Sequence, residues 1–316
     1  MTSPPCPLCG SEQSSLVETM DAREIDRAYR KSYGIETRFS TDTLHYLRCG
    51  RCQLRFFDPP SDGDADLYVQ LQRHDWYYIA DKSEFAVAGR YLPATGKVLE
   101  VGAGKAAFAT IVGKDRYVGL EFNDAAIARA KADGIVLHKE MVQAHAAAHR
   151  GGYGAVVSFQ VLEHVADPKG FVEACVEALA PGGHLILAVP DHEGLCGLAQ
   201  NNILDMPPHH VSHWNEQVLR YLGEHHGLAV VAIEREPVAA HHQPWAARSV
   251  LEQRMRQGLG LTPSLLDVSL IGRVVGRLAA KASALLAPDT TRVSGHTIVA
   301  CYRKPGGSAG QPVQAA

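Results

Sequence analysis

Four of the seven cysteines are arranged as two C-x-x-C pairs, in the stretches CPLCG and CGRCQ. Two thiolates separated by two residues can bind one tetrahedral ion from a tight turn, and two such pairs complete a four-cysteine site. The sequence therefore predicts that Cys6, Cys9, Cys49 and Cys52 bind a structural Zn²⁺. The alternative is a set of unliganded thiols. A closed zinc site leaves no open position for a catalytic water.

A second candidate site is the stretch KVLEVGAGKAAFA, whose pattern predicts a buried strand, a glycine turn and the start of a helix. Such a turn presents backbone N–H groups to a polar or acidic ligand. Gly102, Gly104 and Ala107 fit the dinucleotide pattern G-x-G-x-x-G/A. Glu100, Gly102 and Gly104 fit equally well the loop of enzymes that use S-adenosylmethionine (SAM). Because Glu121 can accept ribose hydroxyls of either ligand, the loop alone leaves the ligand open.

Histidines after the fifth predicted strand could act in proton transfer. The segment LDMPPHHVSHW holds three of them, after a Pro-Pro pair that stiffens an extended chain. A neutral imidazole can accept a proton near pH 7, and we rank His210 first, His209 second and His213 third as the base. These histidines could instead cap the next helix. Metal binding by His209 and His213 lacks an evident third ligand.

The elements that must position these residues follow an alternating pattern. Apolar strand patterns occur at residues 97–101, 116–121, 134–139, 153–160, 184–190, 228–236 and 296–304. Short, wholly apolar strands separated by helices are typical of a parallel sheet that is covered on both faces, so we predict an α/β fold. One intervening helix has Asn123 or Asp124 as its N-cap. A second ends at Pro181 and its glycines, and a third covers 212–227.

The chain divides into units of different composition. Residues 1–60 contain both cysteine pairs and are predicted to form a zinc-ribbon-like module, with a polar, helical middle and short strands around the second pair. The stretch DPPSDGDAD marks a linker to a main domain over 61–304. A helical insertion is predicted at about 241–292, and residues 305–316 are predicted to be disordered.

Composition and charge argue against several classes of protein. The 316 residues carry a formal net charge of −3, so no overall field attracts nucleic acid and any such binding would need a local patch. No apolar run is long enough to span a membrane. The first residues, MTSPPCPLCG, lack the charged and apolar regions of a signal peptide, which predicts a cytoplasmic location.

One basic stripe lies within the helical insertion. The stretch SLLDVSLIGRVVGRLAAKASALLA has apolar residues at helical spacing, and Arg273, Arg277 and Lys281 recur every four residues. Three interpretations stay open for this stripe: a solvated helix face, a contact with an anionic substrate, or a contact with a membrane surface.

Four stretches together carry a family resemblance: VLEVGAGKAAF, GLEFN, VVSFQVLEHV and LAPGGHLILAVP. In order and spacing they resemble the motifs of class I SAM-dependent methyltransferases, over roughly residues 90–235 and 296–304. The resemblance implies a Rossmann-like doubly wound sheet, mostly parallel with an antiparallel last strand, and SAM as the cofactor. One departure is Ala106, which stands where many members have a third glycine; it costs little if its φ is negative.

The resemblance also implies roles for particular residues. The implied cofactor contacts are Gly102, Ala103 and Gly104 to the methionine moiety, Glu121 to the ribose, Glu140 near the adenine amine, and in addition Glu100 and Gln160. In ubiquinone-type O-methyltransferases an E-x-x-E-H cluster holds a divalent cation. Its first position is Gln160 here, a poorer ligand, so no metal is predicted there.

Further implied residues flank the cofactor contacts. His164 is a candidate catalytic residue, with packing at a helix start as the alternative. Glu140 has the alternative of being a solvated side chain. Because the family's N-terminal helices close over the cofactor, Tyr77 or Tyr78 is predicted to line the substrate pocket, unless both are core aromatics.

We therefore predict a SAM-dependent methyltransferase with a structural zinc module. The predicted acceptor is a small molecule of sugar or secondary-metabolite type, methylated at oxygen, nitrogen or carbon, because methyltransferases with a similar N-terminal module act on such molecules. Some rRNA methyltransferases also carry such a module, so that activity is the first alternative. A non-catalytic, zinc-containing binding module is the second. An NAD oxidoreductase is disfavoured, since no Tyr-Lys catalytic pattern stands out.

Overall fold

The structure is a computed structural model, and it describes residues 4–74 and 82–306. Tyr77, Tyr78 and residues 307–316 of the predicted tail lie outside the described residues. The strands are β1 (Ser14–Asp21), β2 (Thr43–Cys49), β3 (Arg55–Asp58), β4 (Val98–Val101), β5 (Tyr117–Leu120), β6 (Leu137–His138), β7 (Tyr153–Phe159), β8 (Leu179–Pro190), β9 (Ser212–His213), β10 (Ala229–Pro237) and β11 (Ser294–Arg303). The helices are α1 (Ala22–Tyr33), α2 (Ala65–Leu71), α3 (Ser83–Gly89), α4 (Ala109–Val112), α5 (Asp124–Ala132), α6 (Val142–Ala148), α7 (Pro168–Ala178), α8 (Leu195–Leu198), α9 (Glu216–His225), α10 (Gln243–Gly258) and α11 (Leu270–Ser283).

A large sheet organises the main part of the chain. Within the described residues it contains seven strands in the order β10-β11-β8-β7-β4-β5-β6. Strands β4 to β8 pair in parallel, whereas β11 is antiparallel to both β8 and β10. This topology confirms the predicted Rossmann-like α/β sheet with an antiparallel last strand. It also gathers the carboxyl ends of β4, β5 and β7 at one edge, where ligands bind in such sheets.

The central strands are apolar because both faces of the sheet are covered. All four residues of β4 are buried. On one face the rings of Phe85, Phe108 and Phe159 contact one another, with centroids 4.9 to 5.3 Å apart. On the other face Phe171 and Cys175 of α7 are buried against the sheet. Packing of this kind holds the strand ends, and therefore the loops that follow them, in place.

A smaller antiparallel sheet contains the N-terminal strands and one segment from far along the chain. Its order is β1-β2-β3-β9. Strand β9 follows β8 and pairs with β3 through Arg55 opposite His213 and Phe56 opposite Ser212. The helix predicted over 212–227 therefore begins later, at Glu216, with the Asn215 side chain capping Val218 N–H at 3.0 Å. Ser212 and His213 are drawn into the sheet because β3 offers them an unpaired edge.

Three other boundaries differ from the predictions. The segment predicted as a polar, helical middle begins with strand β1, which pairs with β2, and α1 starts only after the N-cap Asp21. Strand β8 begins at Leu179, so Pro181 lies inside this strand and does not end α7. The strand predicted over 134–139 shortens to β6. By contrast, Asn123 is the N-cap of α5, as one of the two predicted options.

The helical insertion consists of α10 and α11, which pack on each other. Ser269 caps α11, whose buried face is made of Gly272, Val275, Gly276 and Ala279. The basic stripe of Arg273, Arg277 and Lys281 lies on the exposed side of this helix. Across residues 4–74 and 82–306, no helix has both the length and the apolar character needed to cross a bilayer.

The glycine turn after β4 is expected to tolerate no side chain at Gly102. Its φ is +78°, and an added Cβ would lie 2.3 Å from Cγ2 of Val161. Gly102→Ala should lower the free energy of unfolding by about 2–4 kcal/mol, because left-handed backbone strain adds to overpacking. Gly134→Ala is the matched control, since its φ is +72° and its added Cβ meets nothing within 4 Å. Equal losses in denaturant titrations of the two variants would contradict the predicted clash.

Candidate functional site

The backbone N–H groups of the glycine turn are hydrogen-bonded to other residues of the protein. The N–H groups of Gly102 and Ala103 donate to the Leu120 carbonyl at 3.0 and 2.9 Å. Gly104 N–H donates to Oε2 of Glu121 at 2.7 Å. In this structure Leu120 of β5 and the Glu121 side chain supply acceptors for these three N–H groups. Contact of the turn with a cofactor stays a prediction. Ala106 has a φ of +54°, so it does not meet the condition of a negative φ.

Two carboxylates stand at the ends of the neighbouring central strands. Glu100 of β4 is 3% exposed and accepts a hydrogen bond from the Tyr117 hydroxyl. Burial raises the pKa of Glu100 to about 8, although the hydrogen bond from Tyr117 and the charge of Lys82 act to lower it. Glu121, after β5, also accepts from the N–H groups of Phe122 and Asn123 at 2.7 and 2.8 Å. Together these contacts place two acids beside the glycine turn.

A single cleft of about 2040 Å³ contains most of the predicted cofactor residues. Those that line it are Glu100, Gly102, Ala103, Gly104, Glu121 and Gln160. Gln160 has a φ of +56° and donates from Nε2 to Oγ1 of Thr297 at 3.3 Å. Glu140 is not among the lining residues; its carboxylate lies 2.7 Å from Nδ1 of His145 instead. Arg273 of the basic stripe also lines the cleft.

Three histidines from two loops meet in the same cleft. His164 follows β7, and His209 and His210 belong to the loop after β8. Their ring centroids lie 4.5 to 4.9 Å apart. The Nδ1 atom of each ring faces an oxygen: the His209 carbonyl for His164, the Leu204 carbonyl for His209 and Oδ1 of Asp205 for His210. The structure thus brings together the three residues predicted to be catalytic.

His213 lies outside this group. As part of β9 it contacts the Tyr46 hydroxyl through Nδ1 and the Asp205 carbonyl through Nε2, each at 2.6 Å. Burial lowers the pKa of His213 to about 3, and burial likewise lowers the pKa of His164 to about 3. Both imidazoles are therefore neutral near pH 7. Burial alone would raise the pKa of Asp205, but His213, His192 and His210 hold it well below its usual range.

Sequence reasoning did not assign a role to Glu163 or Asp205. Glu163 is 1% exposed, lines the cleft, and neither of its carboxylate oxygens has a hydrogen-bond partner within the described part of the chain. Burial raises its pKa to about 7. Its Oε1 lies 3.7 Å from Nε2 of His164. Both acids had a signal in the sequence, since Glu163 precedes His164 and Asp205 stands in the LDMPPHH segment.

The four paired cysteines converge in the N-terminal module. All four sulfur atoms lie within 4.8 Å of one another. Cys6 and Cys52 are 3.5 Å apart, and Cys9 and Cys49 are 3.6 Å apart. A tetrahedral site with Zn–S bonds of about 2.3 Å needs sulfurs about 3.8 Å apart, so this set fits a zinc ion. The hydrogen bond with Cys52 lowers the pKa of Cys6, whereas burial raises the pKa of Cys9.

Among residues 4–74 and 82–306, two other groups of side chains bring three ligand atoms within 4.8 Å of one another. One is His164 with His209 and His210, and the other is His192 with Asp205 and His213. The sequence analysis did not group His164 with His209 and His210, because His164 belongs to a different loop. Both nitrogens of His213 are already hydrogen-bonded, which makes the second group a poorer metal site than the first.

The chain belongs to a methyltransferase family. The family model described as "Methyltransferase domain" matches residues 70–233, which contain the glycine turn and the histidine cluster. Over 100 residues the chain is 35% identical to the ubiquinone biosynthesis O-methyltransferase of Cronobacter sakazakii, covering 29% of this chain and 41% of that protein. The enzyme of the same name from Escherichia coli is 33% identical over 126 residues, covering 35% and 52%. The chain thus spans about half or less of these relatives' length.

The chain also resembles, at low sequence identity, two solved structures that are named as methyltransferases. A SAM-dependent methyltransferase from Archaeoglobus fulgidus has a TM-score of 0.46 and 16% identity, covering 70% of this chain and 95% of that one. A second, from Mesorhizobium loti, has a TM-score of 0.45 and 14% identity, covering 72% and 100%.

Replacing Glu100 is expected to change how stability depends on pH. The folded chain holds the Glu100 proton up to a pKa of about 8, whereas the ordinary value is 4.5. The contribution of this group is therefore complete below its unfolded pKa and is lost as the pH rises through its folded pKa. In the natural sequence this group makes the free energy of unfolding fall by up to about 1.4 kcal/mol per pH unit between the unfolded and the folded pKa of Glu100. In Glu100→Gln this contribution to the fall is absent. Denaturant unfolding between about pH 5 and pH 8 measures the difference, and parallel curves would contradict it.

Proposed function

We propose that this protein transfers a methyl group from SAM to a hydroxyl group of a small-molecule acceptor. The observation that carries the proposal is the cleft, because the glycine turn with its two acids and the histidine cluster line the same volume. Membership of the methyltransferase family supports the reaction. The two relatives from Cronobacter sakazakii and Escherichia coli are named as O-methyltransferases, which supports oxygen as the acceptor atom.

The charges around the glycine turn favour SAM over a dinucleotide. A dinucleotide pyrophosphate needs free N–H donors at such a turn, but three of these donors are bonded to Leu120 and Glu121. SAM instead carries a positive sulfonium and a positive ammonium group. The carboxyl groups of Glu100 and Glu121 line the cleft and would stabilise these charges. The Glu121 carboxylate would repel a pyrophosphate.

The histidine cluster supplies a base. Bound SAM would supply a methyl group, which passes to an aligned acceptor oxygen as its bond to sulfur breaks and the sulfonium leaves as a neutral thioether. We propose that Nε2 of His210 accepts the proton of the acceptor hydroxyl, since Nδ1 is held by Asp205 at 2.9 Å. The ionised Asp205 then stabilises the imidazolium. His209 and His164 border the same space, and Glu163 offers an unpartnered carboxyl group beside it.

The size of the cleft supports an acceptor of substantial size. Its volume of about 2040 Å³ exceeds the about 300–1,000 Å³ of ordinary ligand pockets. SAM and a second molecule can therefore occupy it together. A sugar or a secondary metabolite with a free hydroxyl fits this proposal, and rRNA is the competing substrate that the test must include.

The first measurement is a calorimetric titration of the full chain with SAM and, separately, with NAD⁺. We expect SAM to bind and NAD⁺ to give no response. Methyl-labelled SAM should then label phenols, catechols or sugars in a defined panel. In His210→Gln we expect transfer to fall by about 10²–10⁴-fold with unchanged SAM affinity, because the base acts only on the acceptor.

His225→Gln is the control, since this exposed histidine on α9 lies outside the cleft lining. No SAM binding by folded protein would contradict the proposed function and favour a binding module. Label that enters ribosomal RNA and no small molecule would contradict the proposed acceptor class. Loss of SAM affinity in His210→Gln would contradict the role of His210 as the base.

We also propose that Cys6, Cys9, Cys49 and Cys52 hold one structural zinc ion. The fit of their sulfur distances to a tetrahedral site supports this assignment. Elemental analysis should find one zinc per chain, and Cys49→Ser should lose it together with stability of the N-terminal module. Cys175→Ser is the control, because Cys175 is buried in α7 away from the cluster. Full zinc content in Cys49→Ser would contradict the assignment.

A further inference from the structure

We infer that the N-terminal module positions His210, with Tyr46 as a positioning residue that acts through His213 and Asp205. The inference rests on the proposed role of His210 as the base. It concerns a chain of buried hydrogen bonds that begins on β2 and ends on the imidazole in the cleft.

The first link joins the two sheet segments. The Tyr46 hydroxyl and Nδ1 of His213 are 2.6 Å apart, and both side chains are buried. The Tyr46 ring also stacks on Phe57 at 4.8 Å and meets the His213 ring edge-on at 5.2 Å. Packing therefore holds the ring of Tyr46 independently of its hydroxyl. The hydroxyl also lies 3.3 Å from Nε2 of His192, so its shorter contact, at 2.6 Å, is the one with His213.

The second link fixes the direction of the hydrogen bonds. Nε2 of His213 lies 2.6 Å from the backbone carbonyl of Asp205. A carbonyl can only accept, so Nε2 must carry the proton and donate. In a neutral imidazole the other nitrogen, Nδ1, is then an acceptor, and the Tyr46 hydroxyl must donate to it. The Asp205 carbonyl thus selects one tautomer of His213, and the Tyr46 hydroxyl, by donating to Nδ1, holds the ring in place against the Asp205 backbone.

The third link sets the tautomer of His210. Oδ1 of Asp205 lies 2.9 Å from Nδ1 of His210. An ionised carboxylate only accepts, so the proton of a neutral His210 stays on Nδ1 and Nε2 carries the lone pair. That lone pair is what the proposed proton transfer requires. A partner that could donate would permit the opposite tautomer, which has no base at Nε2.

The backbone directly after His210 is also held by the same module. Val211 accepts at its carbonyl from Phe57 N–H at 3.1 Å and donates its own N–H to the Glu163 carbonyl at 2.9 Å. Strand β2 carries both Tyr46 and the cysteine ligand Cys49. The cysteine-bearing module therefore contacts the histidine loop on both sides of His210, at Met206 through the Tyr29 hydroxyl and at Val211 through Phe57 N–H.

The test uses the full chain labelled with ¹⁵N-histidine, whose ring-nitrogen shifts report which nitrogen carries the proton. His210→Gln identifies the His210 signals among those of the 16 histidines. We expect the Nδ1–H form of His210 in the natural sequence and the Nε2–H form in Asp205→Asn, because an amide can donate. Tyr46→Phe should reduce the Nδ1–H fraction and lower kcat by about tenfold, a usual size for removal of an orienting partner. SAM affinity should stay unchanged.

Tyr29→Phe is the matched control. Its buried hydroxyl comes from the same module and bonds the same loop, at the Met206 carbonyl 3.0 Å away, but outside the chain of hydrogen bonds. Equal changes in Tyr29→Phe and Tyr46→Phe, or an unchanged His210 tautomer in both Tyr46→Phe and Asp205→Asn, would overturn the inference. A second metal equivalent per chain that is lost in His210→Gln would also overturn it. The tautomer of His210 is measured without SAM. A lack of SAM binding would therefore contradict the proposed function and would still allow the positioning role of Tyr46 to be tested.

Discussion

The buried carboxylate of Asp205 is the interaction on which the site depends. It lies between the two sheets and contacts His210, His213 and His192 at 2.9, 3.5 and 3.6 Å. A buried charge is costly unless it is paired and hydrogen-bonded, so these rings must stay where they are for the carboxylate to stay buried. The loop after β8 therefore has one stable arrangement, and that arrangement directs His210 into the cleft.

The second organising feature is the row of acids along the ends of the central strands. Glu100, Glu121 and Glu163 line one cleft, and burial raises the pKa of Glu100 and Glu163. A cation that binds beside these buried acids lowers their raised pKa values, because an opposite charge favours the ionised form of a carboxyl group. A cationic cofactor and these carboxyl groups therefore stabilise each other, whereas an anionic cofactor would meet repulsion. Binding and proton release are coupled in such a site.

Local patterns predicted those elements whose burial is local. The apolar stretch KVLEV became β4, and Asn123 caps α5, because strand burial and helix capping depend on neighbouring residues. Patterns failed where a distant segment decided the outcome. The local sequence at Ser212 and His213 predicted the start of a helix, whereas in the structure these two residues pair with the edge of β3.

The sequence by itself determined the residue types: two cysteine pairs, a glycine turn flanked by acids, and a histidine-rich segment after the fifth strand of the main domain. Their spacing was sufficient for a family and a fold class, since metal-ligand spacing and strand alternation are short-range properties. Only the tertiary structure decided which histidine faces Asp205 and which faces Tyr46. The Tyr46–His213 bond joins residues 167 positions apart, so no local pattern contains it. Asp205 and His210 are close in sequence, but spacing alone does not say which of the neighbouring histidines the folded loop turns toward the carboxylate.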